Sequence, residues 1–290
     1  MDTITVGDAR IRRVEEIVLH VPIALFMPDA EFVRQNNDWL FPRFLDADGN
    51  CDSVWQSWIV EVDGRILVVD PCNGNGRTNT GFPAAHMLDT PYIERFAASG
   101  VRPQDVDFVF CTHLHFDHCG WNTCLRDGRY VPTFPNARYL FVRREFERWD
   151  PRRASHSAIE SMKGVFENSI LPVVEAGLAQ IIPDRHRLLP SLTIEPAHGH
   201  TAGHAMGHLV CAGQEACFVG DAFHHPVELL RPEVDAGLDE DAAAAIATRQ
   251  RLVAFCLERS ALIIPAHFPA PHAGWLRRQN GKVVFEPLTP

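Results

Sequence analysis

The strongest constraint on the fold of this chain is a six-residue run, HLHFDH, which begins at His113 and contains three histidines and an aspartate. The run follows VDFVFCT, an apolar segment rich in β-branched and aromatic residues, which predicts a strand. His113 and His115 alternate at the end of this strand and project to one side, while Asp117 and His118 follow where the chain should turn at Gly120. These four side chains can converge on one point, and imidazole and carboxylate groups suit zinc and other borderline divalent ions.

Three further candidate ligands lie at the ends of other predicted strands. They are His200 in AHGHTAGH, Asp221 in FVGDAFHH and His267 in IIPAHFPAP. Two neighbouring ions need more ligands than the first run supplies, and the sites of α/β proteins are commonly built from side chains at strand ends. We therefore predict a metal site here, and we interpret most of the 15 histidines of the chain as ordinary core or surface residues.

The order of strands and helices predicts an α/β sandwich with sheets inside and helices outside. Residues 58–62 and 66–70 read as a hairpin joined through Asp63-Gly64, and a second hairpin is expected around Ala212-Gly213. Helices are predicted at Pro91 to Ala98, at Ala154 to Phe166 and at Glu240 to Arg259. The 290 residues are 46% hydrophobic and contain no obvious linker, so we expect one domain over residues 1–290.

Residues 22–53 differ from the rest of the chain because they are rich in Phe, Trp, Asn and Asp and show little regular periodicity. Long irregular segments in compact domains are often lids or binding loops. Two interpretations stay open: a substrate-binding loop segment, or an N-terminal extension packed on the surface.

Charge and composition exclude several functional classes. The net charge is −10, so we expect no general attraction to nucleic acid or to anionic lipid. The N-terminal residues lack the apolar core of a signal peptide, and no apolar run approaches the length of a membrane span. Eight cysteines without secretory features read as reduced thiols. These features predict a soluble, cytoplasmic protein.

The motifs THLHFDH, GHTAGH, GD and AH, taken together, resemble those of the metallo-β-lactamase superfamily. The resemblance covers about residues 54–267 and implies an αββα sandwich with two metals at the edge between its sheets. By motif position, it implies one metal held by His113, His115 and His200 and another by Asp117, His118 and His267. It also implies that Asp221 bridges both metals.

The same resemblance favours one branch of the superfamily, the lactonases that degrade acyl-homoserine lactones together with methyl parathion hydrolase and its relatives. Common β-lactamases lack the bridging aspartate or have a cysteine near it, and flavodiiron proteins have an acid where this chain has His115. The segment after His267 is too short for the C-terminal region of glyoxalase II, and the acidic balance disfavours an RNA substrate. His224 stands where the lactonases commonly have tyrosine, and this looks more like the organophosphate-hydrolase side of the branch.

The function implied is that of a dinuclear metal-dependent hydrolase. Two divalent ions about 3.5 to 4 Å apart would share a water and supply hydroxide to an ester, lactone or phosphoester. Zinc is expected, with manganese, cobalt or iron as alternatives. We expect Asp117 to be both ligand and proton carrier, and His224 either to stabilise charge on the substrate or to orient a ligand.

Alternative functions use the same centre. A hydrolytic dehalogenase or a β-lactamase-like enzyme needs only an activated water and an electrophile, and a metal-binding sensor would keep the site without turnover. In each case the partner is a small molecule. A homodimer through an apolar face of the N-terminal segment, as in similar lactonases, is a further expectation.

Several residues near the motifs invite a functional role. We assign Cys111, Cys119 and Cys124 to packing because histidines and carboxylates already complete two sites. Glycines disfavour a helix through His200 and His204, so we expect a turn that presents His200, with His204 packed behind it. Aromatic residues are candidates to line an apolar substrate pocket. These aromatics are Trp39, Phe41, Phe44, Trp55, Phe268 and Trp275.

Overall fold

The computed structural model describes residues 3–153 and 159–289, and within these ranges the chain forms two seven-stranded sheets packed face to face. Side chains between the sheets include Trp58 and Val60 from the first sheet and Leu209 and Phe218 from the second. Ile59, between Trp58 and Val60, points to the opposite face and packs under helices. Both faces of the strand are therefore buried, which explains its nearly continuous apolar sequence.

The first sheet combines an antiparallel half with a parallel half, in the order β1-β2-β3-β4-β5-β8-β9. The hairpin predicted through Asp63 and Gly64 is confirmed, since Trp58 pairs with Val69 and both turn residues have positive φ angles, 52° and 71°. Its strands are β1 (Thr3–Val6), β2 (Ala9–Pro22), β3 (Asn50–Val62), β4 (Arg65–Val69), β5 (Phe108–Phe110), β8 (Arg138–Val142) and β9 (Ala179–Ile182).

The second sheet is antiparallel except for one parallel pair, β13 with β14. The second predicted hairpin is also confirmed, because Ala212 and Gly213 form the turn between β12 and β13. Its strands are β10 (His186–Leu189), β11 (Leu192–Pro196), β12 (Ala205–Cys211), β13 (Gln214–Gly220), β14 (Leu262–Pro265), β15 (Gly274–Gln279) and β16 (Lys282–Pro287). A separate small ribbon pairs β6 (Thr123–Arg126) with β7 (Arg129–Pro132).

Helices cover the outer faces of both sheets. In residues 3–153 and 159–289 they are α1 (Ala30–Gln35), α2 (Asn37–Leu40), α3 (Tyr92–Ala98), α4 (Phe116–Cys119), α5 (Arg143–Trp149), α6 (Leu171–Glu175) and α7 (Ala242–Arg259). Side chains of α3, α5 and α6 pack on the first sheet and those of α7 pack on the second, so the αββα sandwich is confirmed. None of the helices in the described ranges has the length and apolar character that crossing a membrane requires.

Two of the three helix predictions are confirmed, those that correspond to α3 and α7. The α7 helix begins after Asp241, whose side chain accepts a hydrogen bond from the backbone N–H of Ala244. The predicted helix from Ala154 to Phe166 is wrong where it can be checked. Residues 154–158 lie outside the described residues. The rest forms a short 3-10 turn, Glu160–Met162, and Gly164, whose φ angle is 77°, separates it from a π-helical turn, Phe166–Ile170, which begins only at the end of the predicted range.

The segment between β2 and β3 folds into a short 3-10 turn, Ile23–Leu25, followed by α1 and α2. Its apolar side chains form a separate small cluster around Phe26, Leu40 and Phe44, which also contains Val227. Pro22, the last residue of β2, pairs with Asn50, the first residue of β3, so the two strands close this segment into a loop. Phe44 of the loop accepts a hydrogen bond from His225, shortly after β13.

Candidate metal centre

All seven predicted metal ligands lie at one edge of the sandwich. His113 and His115 follow β5, and Asp117 and His118 lie in the single turn of α4. The remaining three lie in the loop between β11 and β12, directly after β13, and just beyond β14. These are His200, Asp221 and His267. Because β13 and β14 are parallel, their carboxyl ends meet at the same edge.

The first group consists of three imidazoles whose nitrogens converge. Nδ1 of His115 lies 2.9 Å from Nε2 of His113 and 3.1 Å from Nε2 of His200. His113 and His200 are buried and His115 is half-buried. Three ring nitrogens at these separations form a cluster that can hold one metal ion.

The second group contains Asp117, His118 and His267. Nε2 of His118 lies 3.1 Å from Nε2 of His267, and Oδ2 of Asp117 lies 3.8 Å and 3.6 Å from these two nitrogens. This group also has the size and the donor atoms that suit one divalent ion.

Asp221 lies between the two groups and turns one oxygen toward each. Its Oδ1 is 3.2 Å from Nε2 of both His118 and His267, and its Oδ2 is 3.5 Å from Nε2 of His200 and 3.9 Å from Nε2 of His113. Although Oδ1 is buried, no donor among the described residues meets it in hydrogen-bond geometry. A buried carboxylate oxygen without a hydrogen-bond donor needs a positive partner. With one group of candidate ligands on each side of this carboxylate, the residues present fit two divalent ions.

Acceptors behind the histidines leave the Nε2 atoms free for metal. Nδ1 of His113 donates to Oγ1 of Thr112 at 3.1 Å, and Nδ1 of His267 donates to the carbonyl oxygen of Val54 at 3.1 Å. Carboxylates lie close to Nδ1 of two further rings, with Asp70 3.1 Å from Nδ1 of His118 and Asp239 3.4 Å from Nδ1 of His200. Such partners fix the tautomer and the orientation of metal ligands.

The buried groups of the centre shift one another's pKa values. Burial would lower the pKa of His118, but the carboxylates of Asp221 and Asp117 outweigh it and raise this pKa. Burial, followed by the neighbouring imidazoles, lowers the pKa of His113 and of His115 well below the usual histidine range, so both rings are neutral. Burial alone would raise the pKa of Asp221, but the imidazoles of His118 and His267 outweigh it and keep this carboxyl ionised. Burial would likewise raise the pKa of Asp239, but hydrogen bonds with His200 and Arg249 lower it to about 2.

A cavity of about 460 Å³ opens directly onto these ligands. Its walls include Trp55, Phe82 and Phe116, whose rings lie 5.4 to 5.8 Å apart, and Leu25 and Phe26 from the segment between β2 and β3. Among the lining residues that the structure describes, none is lysine or arginine. The site is therefore an apolar cleft with carboxylates and imidazoles at its floor.

A family model described as the metallo-beta-lactamase superfamily matches residues 56–267, a range that begins in β3 and contains all seven candidate ligands. The chain belongs to the metallo-β-lactamase superfamily.

Relatives within the superfamily include an N-acyl homoserine lactonase from Bacillus sp., which is 24% identical over 161 residues, 52% of this chain and 56% of that protein. The matched region thus spans about half the length of this curated relative. The hydrolase AbOPH has a similar structure, with a TM-score of 0.80 and 22% identity over 99% of this chain and 97% of that one. The dizinc quorum-quenching lactonase AidC, solved with a product, N-hexanoyl-L-homoserine, has a TM-score of 0.75 and is 18% identical over 100% of this chain and 97% of that one. These two structures establish the fold.

His224 lies in the cavity wall of this superfamily member. Its Nε2 is 3.5 Å from Oδ2 of Asp221, and its Nδ1 is 3.4 Å from Oε1 of Glu228. Burial lowers the pKa of His224, but the carboxylates of Glu228 and Asp221 outweigh it and raise this pKa to about 10. His225 instead turns away from the cleft and donates from Nε2 to the carbonyl oxygen of Phe44 at 3.1 Å.

The aromatic prediction is wrong for five of its six residues. Only Trp55 is among the described lining residues, whereas Phe268 is fully buried and packs on Phe285 in the core beside α7. The other four also fall outside the cavity wall, and these are Trp39, Phe41, Phe44 and Trp275. Phe82 and Phe116 were missed, although Phe116 lies inside the HLHFDH run and its position could have indicated it.

The cysteines near the motif belong to none of the candidate metal groups found within residues 3–153 and 159–289. Cys111 and Cys119 are buried, and burial raises the pKa of both thiols above the usual cysteine range. Sγ of Cys119 donates to the carbonyl oxygen of His115 at 3.2 Å. These thiols stay protonated and pack beneath the ligand loop, whereas zinc binds the thiolate.

Proposed function

We propose that this chain is a metal-dependent hydrolase that acts on a small ester, lactone or phosphoester through two divalent ions, most readily zinc. Two such ions, when bound, lower the pKa of a shared water and supply hydroxide at neutral pH. The observation that carries the proposal is Asp221, which turns one carboxylate oxygen toward each group of ligands. We assign one ion to His113, His115 and His200, the other to Asp117, His118 and His267, and both to Asp221.

Asp117 is well placed to move a proton as well as to hold an ion. It lines the cavity and its side chain is 13% exposed, more than the 6% of Asp221, so substrate can reach it. A carboxylate has two oxygens, and the one that does not face the histidines can accept the proton of the attacking water. The same oxygen can then return this proton to the leaving alkoxide.

His224 can stabilise charge that develops on the substrate. Its ring stacks between Phe26 and His267, at centroid distances of 5.7 and 6.0 Å, and Glu228 holds its Nδ1 side. Nε2 then faces the cleft with a proton to donate to the oxygen of the scissile group. The alternative role, a hydrogen bond from Nε2 that orients Asp221, is also consistent with the 3.5 Å separation of these groups.

The cleft favours an uncharged and largely apolar substrate. Its described lining is mostly apolar and contains no lysine or arginine that could bind an anionic group of a substrate. An anionic group in the apolar part of the cleft would lose its hydration without gaining a lysine or arginine partner. Neutral lactones, carboxylic esters and phosphotriesters are therefore the first classes to test. The related AidC is a lactonase whose product is N-hexanoyl-L-homoserine.

We propose that residues 1–290 form one domain and that residues 22–53, which connect β2 to β3, take part in substrate binding. Leu25 and Phe26 contribute to the cavity wall, and Phe44 accepts the hydrogen bond that anchors His225. We propose that this segment selects the apolar part of the substrate.

A hydrolysis panel with defined metal loading tests the proposal. Purified protein loaded with zinc, manganese, cobalt or iron is assayed against neutral lactones, aryl esters, phosphotriesters, β-lactams and haloalkanes. Hydrolysis of at least one of the first three classes, dependent on metal, is expected. Activity confined to β-lactams or haloalkanes would replace the proposed substrate class, and bound metal without any hydrolysis would favour a sensor.

A further inference from the structure

Glu145 is a carboxylate buried behind the three-histidine group, and its side chain accepts four hydrogen bonds. Oε1 accepts from the backbone N–H of Leu114 at 3.0 Å and from Nε1 of Trp149 at 2.7 Å. Oε2 accepts from Oγ1 of Thr201 at 2.8 Å and from the backbone N–H of Gly203 at 2.9 Å. The residue is only 2% exposed, and it belongs neither to the cavity wall nor to the candidate ligand groups of the described chain.

Three of the four donors come from two segments that carry the proposed ligands, while the fourth, Trp149, lies on α5 with Glu145. Leu114 lies between His113 and His115, and Thr201 directly follows His200. One oxygen of Glu145 therefore holds the first segment and the other oxygen holds the second. A single carboxylate sets the distance between parts of the chain that are far apart in sequence.

The backbone confirms that this junction is tight. A Cβ atom added to Gly203 would lie 2.2 Å from the backbone nitrogen of Glu145 and 2.6 Å from its Cα. The loop that carries His200 thus lies directly against the first turn of α5, and backbone on both sides leaves no room to shift. Burying a charge is costly unless all its hydrogen-bonding capacity is used, as it is here.

We propose that Glu145 is a positioning residue that fixes His113 and His115 against His200 and thereby sets the metal affinity of the three-histidine site. This inference rests on the proposed metal-dependent function. Outer groups of this kind tune affinity because each imidazole must be held at the angle the ion requires.

Glu16 provides a matched control within the same chain. It is 1% exposed and also has two backbone N–H groups, a tryptophan and a threonine around its carboxylate. These donors are Asn73, Gly74, Trp121 and Thr90, at 2.7, 3.1, 2.6 and 3.4 Å. None of them adjoins a proposed ligand, so Glu16 has the same type of environment without the same positioning task.

The test uses the full chain in a background with one metal site. Asp117→Ala with His267→Ala removes the second site, and Co²⁺ titration against a competing chelator then reports the affinity of the three-histidine site. Visible absorption of the bound Co²⁺ reports its geometry.

Glu145→Gln is expected to weaken Co²⁺ binding by about 10- to 100-fold and to change the absorption band. Glu16→Gln in the same background is expected to leave both unchanged, while thermal unfolding without metal checks that each variant folds.

Thr201→Val serves as a second variant, since it removes one donor and keeps Glu145 charged. It should weaken Co²⁺ binding in the same direction by a smaller factor. Unchanged affinity and absorption in both variants would overturn the inference, as would an equal loss in Glu16→Gln. If the unmodified chain is folded and binds no metal, the proposed function itself fails, and this result is seen before any variant is made.

Discussion

The imidazole of His204 holds the backbone of Asp221 from behind. Its Nε2 accepts from the backbone N–H of Asp221 at 3.1 Å, and its Nδ1 donates to the carbonyl oxygen of Ala197 at 3.0 Å. Burial, followed by the charge of nearby His200, lowers the pKa of His204 to about 3, so the ring is neutral and can accept this bond. The ring of His204 also lies beside that of His200, at a centroid distance of 5.9 Å.

Replacing His204 should therefore destabilise the fold around the carboxylate of Asp221. His204→Ala leaves a cavity and two buried backbone groups without partners, so the free energy of unfolding of the metal-free protein should fall by about 3 kcal/mol. Urea unfolding measures this change. His208→Ala is the control. His208 is half-buried and its Nε2 lies 2.9 Å from Oε2 of Glu215, and the loss of this contact should lower the free energy of unfolding by about 1 kcal/mol or less. Equal losses in the two variants would contradict the assignment.

Acid should destabilise the protein in part through His225. Burial is the main cause that lowers the pKa of this ring to about 4 in the folded state, against 6.5 when exposed. The unfolded chain then binds the extra proton, so this contribution to stability is complete above about pH 6.5 and is lost as the pH falls toward 4. The loss amounts to about 3 kcal/mol. His225→Leu should show a correspondingly smaller fall in unfolding free energy between pH 7 and pH 4, and an unchanged pH profile would refute the burial of a neutral ring.

The described cleft wall contains no lysine or arginine, and this predicts a charge preference that can be changed. Phe82 lies at the mouth and is 36% exposed, so Phe82→Lys should fold normally. The ratio of kcat/KM for a carboxylate-bearing ester to that for its neutral methyl ester should rise by about threefold, as expected for one partly exposed ion pair. Leu125→Lys, which is 52% exposed and outside the wall, should leave the ratio unchanged. A similar rise in both variants would point to general electrostatics.

The two roles of His224 can be separated by measuring turnover and metal content together. If Nε2 stabilises charge on the substrate, His224→Gln should lower kcat by about 100-fold while KM and the metal content stay near their original values. If the ring instead orients Asp221, the metal content should fall with the activity. We expect the first result, and loss of metal in His224→Gln would assign the orienting role.

The candidate ligands that lie together at the centre could be picked out from the sequence because they depend on local patterns. The alternation of His113 and His115 after a strand, and the placement of Asp221 directly after another, restrict these side chains before any tertiary contact is known. The hairpin turns and α7 were predictable for the same reason, since turn residues and caps act within a few positions.

The supporting residues could not be predicted because their partners are distant in the chain. Asp70, Asp239 and Glu145 reach the centre only after β4, α5 and the loop before α7 have packed against it. The aromatic prediction failed similarly, since composition alone does not say whether a ring such as Phe268 faces the cleft or the core. Gly164, whose positive φ angle ends the predicted helix, shows how one backbone conformation overrides apolar periodicity.

The central claim is that Asp221 joins two metal sites into one hydrolytic centre, and metal stoichiometry measured beside turnover tests it most directly. Elemental analysis and hydrolysis of a neutral ester or lactone are compared for the unmodified chain, for Asp221→Ala and for the exposed control Asp38→Ala. Two ions per chain with activity are expected for the first and the last, and loss of metal together with activity for Asp221→Ala. An Asp221→Ala protein that binds two ions tightly and turns over at the original rate would contradict the account.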